Sequence, residues 1–374
     1  LAADYDLAIV GAGIAGLAHA LAGVRRGLKT VVIDRDAQAN GASVRNFGFI
    51  TVTGQQAGAT WQRAKRSAQI WDEVAPKAGI RIEHRGLAVA SRRAEATAVL
   101  EAFLASEMGE GCALVSRAAL RERFPFLAGR NEAALWSPHD LRVESKDAIP
   151  RLAAHLERDW GVAFRRQSTV HEVAPPMVAT SGGTIRAETV VVCPGDDFSG
   201  LFGAQLREAY PGLTRCKLQM LRVKPASGQN LPCSVMSDLS LVRYLGYAEL
   251  PEAAALRKRL ESEQAAQLEN GIHLIAVASA DGTQVVGDSH HYAATPDPFA
   301  SDAVDELMLD EYEAVLGSRP EITARWLGTY ASLPDRPMLR MAPAERVRLV
   351  IVTSGTGAST SFAIGEETIA ELFG

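Results

Sequence analysis

Residues Leu7-Ala8-Ile9-Val10-Gly11-Ala12-Gly13-Ile14-Ala15-Gly16 join a short apolar run directly to a GxGxxG pattern. The run Leu7–Val10 has the length and composition of a buried parallel strand. After the glycines, Ile14, Leu17, Ala18, Leu21 and Val24 recur on one side of a helix, and Gly27 supplies its stop. Lys29-Thr30-Val31-Val32-Ile33-Asp34 then reads as a second strand ending in an acid. Each residue type has a physical reason. Gly11 allows the tight turn, Gly13 lets backbone approach a pyrophosphate, and Gly16 lets helix and strand pack closely. The helix start at Ile14 and Ala15 offers free N–H groups and the positive end of a dipole to phosphates. Asp34 is placed to accept hydrogen bonds from ribose hydroxyls, with Arg35 beside it. The stretch predicts a dinucleotide site on a Rossmann-type βαβ unit. By itself the motif leaves FAD and NAD open, and the acid disfavours a 2′-phosphate.

Composition sets the outer limits. Apolar residues make up 47% and charged residues 22%, the balance of a globular chain with a large core. The net charge of −5 provides no basic face for nucleic acid or anionic lipid. No apolar run approaches the roughly 18 residues of a membrane span. Leu1–Asp6 lacks a basic n-region followed by an apolar stretch, so no signal peptide is expected there. Cys112, Cys193, Cys216 and Cys233 form no CxxC pair, and reduced thiols in a cytoplasmic protein are expected.

The segment Asn40-Gly41-Ala42-Ser43-Val44-Arg45-Asn46-Phe47-Gly48 is too polar and Gly-rich for the further βαβ unit of a plain nicotinamide dehydrogenase. An N-terminal fingerprint followed by such a loop resembles the D-amino-acid oxidase superfamily, in which this loop runs past a flavin. Three later segments carry the same resemblance. Thr189–Gly195 looks like the late strand of the FAD domain, with Cys193 and Gly195 passing the cofactor. Arg325-Trp326-Leu327-Gly328 and Pro334-Asp335-Arg336-Pro337 resemble the W-x-G and P-D-x-x-P stretch beside the flavin. Leu349–Gly357 leads into a helical pattern ending at Glu366-Glu367 and resembles the closing strand, Gly-rich turn and helix. In the family that helix points its N-terminus at the flavin pyrimidine, where its dipole stabilises negative charge on reduced flavin.

The resemblance implies an α/β fold: a Rossmann-type FAD-binding domain interleaved with an α+β substrate domain on a mainly antiparallel sheet. The FAD domain is expected at 1–79, 136–214 and 326–374, and the substrate domain at 80–135 and 215–325. It also implies FAD contacts from Gly11, Gly13, Ile14, Ala15, Gly16, Asp34 and Arg35. Ser43, Arg45, Asn46, Phe47 and Gly48 follow from the loop, and Val173 from a strand near the adenine. Cys193, Gly195, Gly328, Gly355, Thr356, Gly357, Ala358, Ser359 and Thr360 complete the set. Sarcosine-oxidase-like sequences bond flavin through a Cys near the W-x-G stretch. Here no Cys follows Cys233, so FAD is expected to be non-covalent.

Further elements are legible. Leu241–Tyr247 alternates like a sheet strand, and Ile272–Ala278 with Thr283–Asp288 flanks the hairpin signal Asp281-Gly282. Pro251–Glu269 reads as an exposed helix.

Oxidation of an amine moves hydride from its α-carbon to flavin N5, so no protein nucleophile is expected. The site needs an apolar or aromatic wall and a group to hold any anion. Glycine-oxidase-like sequences place an Arg two residues after W-x-G, and here that position is Tyr330. Arg45 is therefore the expected anion holder, with Arg243, Arg340 and His291 as weaker candidates, while Tyr330 and Tyr247 are expected to wall the substrate. A solvated charge is the structural alternative for each Arg, and a core position for each Tyr. Asp288, His290 and His291 could suggest a metal, but adjacent residues of an extended chain point opposite ways, so no metal is expected.

Ser43–Phe49, Thr53-Gly54-Gln55, Gly287–Tyr292 and Thr295–Phe299 also resemble a subgroup proposed to act on aminophosphonates. The expected activity is thus FAD-dependent oxidation of a small anionic amine, a relative of 2-aminoethylphosphonate such as its N-methyl or 1-hydroxy form. Oxygen or another electron acceptor completes the reaction. The alternatives are a glycine, sarcosine or D-amino-acid oxidase, a 2-hydroxy-acid dehydrogenase, and a non-enzymatic flavin-binding subunit or redox sensor.

Overall fold

A computed structural model describes residues 3–226 and 229–374; Leu1 and Ala2 of the Leu1–Asp6 stretch lie outside the described residues. Tyr5–Val10 sits inside a parallel sheet, paired to Thr30–Ile33 on one side and Gly183–Val192 on the other. The sheet continues through Ala163–Arg165 at one end and Val347–Val352 at the other, both parallel, and Met338–Ala344 closes it antiparallel. Its strands are continuous apolar runs because helices cover them. The helices Ile14–Arg25 and Gly357–Phe373 pack on each other so closely that a Cβ on Gly365 would lie 2.8 Å from the Ala18 carbonyl oxygen.

The second sheet runs His291–Ala293, Thr214–Lys224, Gln284–Gly287, Ile275–Ala278, Ser234–Met236, Ile82–Ser91, Ala133–Val143, Phe49–Ile50. Glu321–Ser332 also pairs with Thr214–Lys224, antiparallel along nearly its whole length. All these pairings are antiparallel except Ser234–Met236 with Ile82–Ser91. The fold is therefore α/β, a Rossmann-type sheet joined to a mainly antiparallel substrate sheet. The expected divisions at 135/136 and 325/326 fall inside Ala133–Val143 and Glu321–Ser332, two strands that stay in the second sheet to their ends.

Two local expectations need correction. Leu241–Tyr247 is not a strand: Asp238–Val242 forms a 3-10 turn and Leu245–Ala248 a short helix. The backbone closes on itself, with Arg243 and Tyr244 N–H groups donating to the Ser240 carbonyl. Long-range contacts fix that choice. The fully buried Asp238 carboxylate bonds Arg92 and Arg93, and the Gly246 N–H donates to the Gly54 carbonyl. Pro251–Glu269 is broken into Ala253–Glu263 and Ala265–Glu269 at Gln264, whose side chain reaches Arg92, Arg93 and Glu311. The Asp281-Gly282 hairpin forms as expected, with Gly282 at φ +80°. The closing helix continues beyond Glu367 to Phe373. The four cysteines are free thiols. Among the described residues no helix is long and apolar enough to cross a membrane.

Candidate active site

The glycine turn has two kinds of glycine. Gly11, at φ +104°, would place a Cβ 2.4 Å from the Cys193 carbonyl oxygen, and Gly16 would place one 1.8 Å from the Gly11 carbonyl oxygen. Those two are required by the protein's own packing. Gly13 caps the helix Ile14–Arg25, and its Cβ would meet only Ser43, with Oγ at 3.0 Å. The approach to that helix end past Gly13 is otherwise open. The Ile14 N–H donates to Ser43 Oγ at 2.9 Å, so the 42–48 loop lies over the same helix end. Asp34 closes the turn, its two carboxylate oxygens accepting from the Ala12 and Asp36 N–H groups at 2.6 and 2.8 Å. Each oxygen keeps a further lone pair for a ribose hydroxyl.

The second helix N-terminus abuts the first: a Cβ on Gly357 would touch Ile14 at 3.5 Å. Two positive dipole ends therefore meet beside an open glycine face, which is what a dinucleotide pyrophosphate needs. These residues fit FAD. The side chains of Ser359 and Thr360 turn toward protein. Both are buried; Ser359 Oγ accepts from the Thr51 N–H and Thr360 Oγ1 donates to the Thr356 carbonyl, so their side chains tie the helix down. Arg35 is exposed and pairs with Asp197, and Val173 lies in the Val170–Ala174 strand paired to Val178. Asn46 is engaged locally, its side chain bonded to the Ala42 carbonyl and the Gly48 N–H.

The two sheets meet at Tyr330. Its ring lies 3.1 Å from where a Gly355 Cβ would be, and Gly355 takes φ +72°. Across the second sheet Tyr330 pairs with Cys216, which pairs on its other side with Tyr292. Paired residues share a sheet face, so Tyr292, Cys216 and Tyr330 form one row. The half-buried Arg243 donates from Nη2 to the Tyr292 hydroxyl at 2.9 Å. Behind the row, the His290 ring stands edge-on to Tyr330 with centroids 6.5 Å apart. His290 Nδ1 donates to the Gly271 carbonyl at 2.8 Å, and its Nε2 faces Asp288 Oδ2 at 3.7 Å. His273 Nε2 lies 3.1 Å from Asp288 Oδ1.

Electrostatics follow from this packing. Burial pushes the Tyr330 hydroxyl well above the ordinary tyrosine value, so it stays a neutral hydrogen-bonding group. Burial, then the Arg243 charge, hold His290 well below the usual histidine value. Burial would raise Asp288, but His290, His273 and Arg243 outweigh it and keep the carboxylate ionised. Arg243 stays charged: burial opposes this, and Tyr292, Tyr330 and Asp288 outweigh it.

Several residues expected at the substrate lie off this row. His291 is on the opposite face from the row, paired with Lys217 and with Nε2 3.0 Å from Asn270 Oδ1. Strand alternation forces this, because its neighbour Tyr292 points into the row. Tyr247 is a core residue with no exposed surface, its ring 4.6 Å from that of Phe103 and packed on Gly54. Arg340 pairs with Glu371. Arg45 lies beside Gly328, and its guanidinium reaches the Leu327 carbonyl and Asn40. Asp288 and His290 do come together, but with His273 in place of His291; the three offer ligand atoms within 4.8 Å of one another. His273 and Tyr292 were missed as site residues. The period-two alternation beside His291 was the available signal for Tyr292, and the 281–282 hairpin was the signal for His273.

The family model described as FAD dependent oxidoreductase matches residues 6–371. No curated protein sequence matches the chain. Among solved structures, glycine oxidase from Bacillus cereus ATCC 14579 superposes with a TM-score of 0.76 at 17% identity, covering 99% of this chain and 95% of that one. L-proline dehydrogenase from P. horikoshii gives 0.77 at 17%, covering 100% and 94%. L-α-glycerophosphate oxidase from Mycoplasma pneumoniae, with FAD bound, gives 0.74 at 14%, covering 98% and 94%. At these identities the likeness establishes the fold.

Proposed function

The chain belongs to the DAO family of FAD-dependent oxidoreductases, and from that premise we propose that it oxidises the C–N bond of a small anionic amine. The observation that supports this reading is the contact of Tyr330 with the Gly355 turn, since the family resemblance puts that turn beside the flavin. Bound FAD supplies the hydride acceptor, held by the 11–16 turn, the 42–48 loop and the N-terminus of the closing helix. The residues of the chain then bind, orient and desolvate. Tyr330 and Tyr292 line one wall, and Arg243 adds positive charge to it.

Among the described residues of the corner, the one ionised carboxylate, Asp288, is buried against His273 and His290, and no other group is placed to take the amine proton. Tyr330 keeps its own proton, and both His290 nitrogens face protein groups. The amine must therefore lose its proton to solvent before hydride can leave. The same absence weighs against the 2-hydroxy-acid reading, which requires a base at the substrate hydroxyl. The finer assignment, an aminophosphonate such as N-methyl or 1-hydroxy 2-aminoethylphosphonate, is supported by the resemblance of Gly287–Tyr292 to that subgroup. This segment supplies Asp288, His290 and Tyr292 of the corner.

The pH dependence tests the mechanism. We expect kcat/KM to rise with pH, following the ionisation of the free amine, with the same midpoint in wild type and Tyr330→Phe. A flat profile, or a midpoint that moves on removing the Tyr330 hydroxyl, contradicts proton loss to solvent.

A further inference from the structure

We propose that Arg243 is the residue that binds the anionic end of the substrate, an inference that rests on the anionic-amine reading above. The first reason is the state of its donors. Among the described residues, Arg243 has no carboxylate within the 4.0 Å of an ion pair and hydrogen-bonds only the neutral Tyr292 hydroxyl. Four other cations of the second sheet and the 42–48 loop are already engaged. Arg45 reaches the Leu327 carbonyl and Asn40, Lys217 pairs with Asp297, Arg215 donates to two carbonyls, and Arg325 pairs with Asp305. A half-buried guanidinium loses hydration, and leaving its donors without an anionic partner is unfavourable unless a ligand supplies one.

The second reason is placement. Arg243 follows the 3-10 turn Asp238–Val242, which is anchored at Asp238 by Arg92 and Arg93, so its backbone is held rigidly over the row. The buried Asp288 pairs with His273 and forms no ion pair with the guanidinium, which it leaves unoccupied. The planar fork of Arg suits bidentate contact with a carboxylate or a phosphonate. Tyr292, which Arg243 bonds, and Tyr330, which touches the Gly355 turn, lie on the two strands flanking Thr214–Lys224 and stand in one row with Cys216.

The test uses the FAD-loaded enzyme and methylphosphonate, with binding followed as a shift of the flavin absorbance band. Wild type should bind methylphosphonate, and Arg243→Met should weaken binding by at least about thirtyfold while retaining FAD and melting temperature. Arg243→Lys, which keeps the charge and loses the fork, should fall between them. If Arg243→Met does not retain FAD, the lysine variant decides: weaker binding supports the assignment, and wild-type binding overturns it. Wild-type affinity in Arg243→Met, or no binding of methylphosphonate to wild type, also overturns it. Binding is read without turnover, so the two proposals can fail separately. An enzyme that binds methylphosphonate through Arg243 but is reduced by no amine loses the amine reading alone. An anionic amine oxidised with unchanged KM in Arg243→Met removes Arg243 alone.

Discussion

Alanine at Gly16 will yield protein without bound FAD. The added Cβ would lie 1.8 Å from the Gly11 carbonyl oxygen and 3.2 Å from Ile9 Cγ2. The first contact is with backbone in the turn itself, so no rotamer change relieves it. The helix Ile14–Arg25 would have to move off the strand Tyr5–Val10, yet its other side is held by the closing helix at Gly365. Overpacking ordinarily costs about 1–3 kcal/mol, and a clash this deep against backbone belongs at or above the top of that range. Displacing the helix also opens the site where its N-terminus meets that of Gly357–Phe373. Gly13→Ala provides the contrast. Its Cβ meets only the rotatable Ser43 Oγ at 3.0 Å, so the fold should survive while the added methyl obstructs the phosphate approach. The ratio of flavin to protein absorbance, read with the melting temperature, separates the cases. Gly16→Ala should lose both flavin and stability, and Gly13→Ala flavin alone. A yellow Gly16→Ala protein melting like wild type contradicts the packing argument.

Asp238→Ala should destabilise the fold by about 3–5 kcal/mol, because it removes a buried carboxylate that two largely buried arginines and a backbone N–H share. Asp238 has no exposed surface and accepts from Arg92 Nη2 and Arg93 Nη1 at 3.2 and 2.8 Å. Arg92 keeps Glu311 and Arg93 keeps Glu263, so the loss is partial for each arginine. The Arg92 N–H also loses its acceptor, at 3.1 Å. By the usual scaling this is a drop on the order of 10 °C in melting temperature. Arg243 lies five residues beyond Asp238 on the same turn, so weaker anion binding should accompany the loss. Differential scanning calorimetry decides: a change below about 1 kcal/mol would show that the arginines do not depend on Asp238.

What the sequence made legible was what its own neighbourhood determines. Gly11, Gly16 and Gly27 act within one strand–turn–helix unit, so their spacing carries the fold of the first 34 residues. The closing strand, Gly355 turn and helix are equally local. The corner is different. Tyr330, Cys216 and Tyr292 come from three strands, and only their pairing puts them in one row. The backbone around Arg243 was misread as a strand: Leu241 and Val242 are both buried and Leu245 is exposed, so burial does not alternate there, and Asp238 with its distant arginines holds the turn. Tyr247 is not a wall residue: its apolar surroundings are the core around Phe103, not a pocket. His273 reaches Asp288 through the hairpin, whose strands pair Ile275 with Gly287.

An anaerobic flavin spectrum with a small substrate panel tests the central claim most directly. The panel comprises 2-aminoethylphosphonate with its N-methyl and 1-hydroxy forms, glycine, sarcosine, a D-amino acid and a 2-hydroxy acid. The yellow band should bleach with an anionic amine, foremost the phosphonates, and persist with the 2-hydroxy acid. Bleaching by the 2-hydroxy acid alone, or a purified protein carrying no flavin, would contradict it.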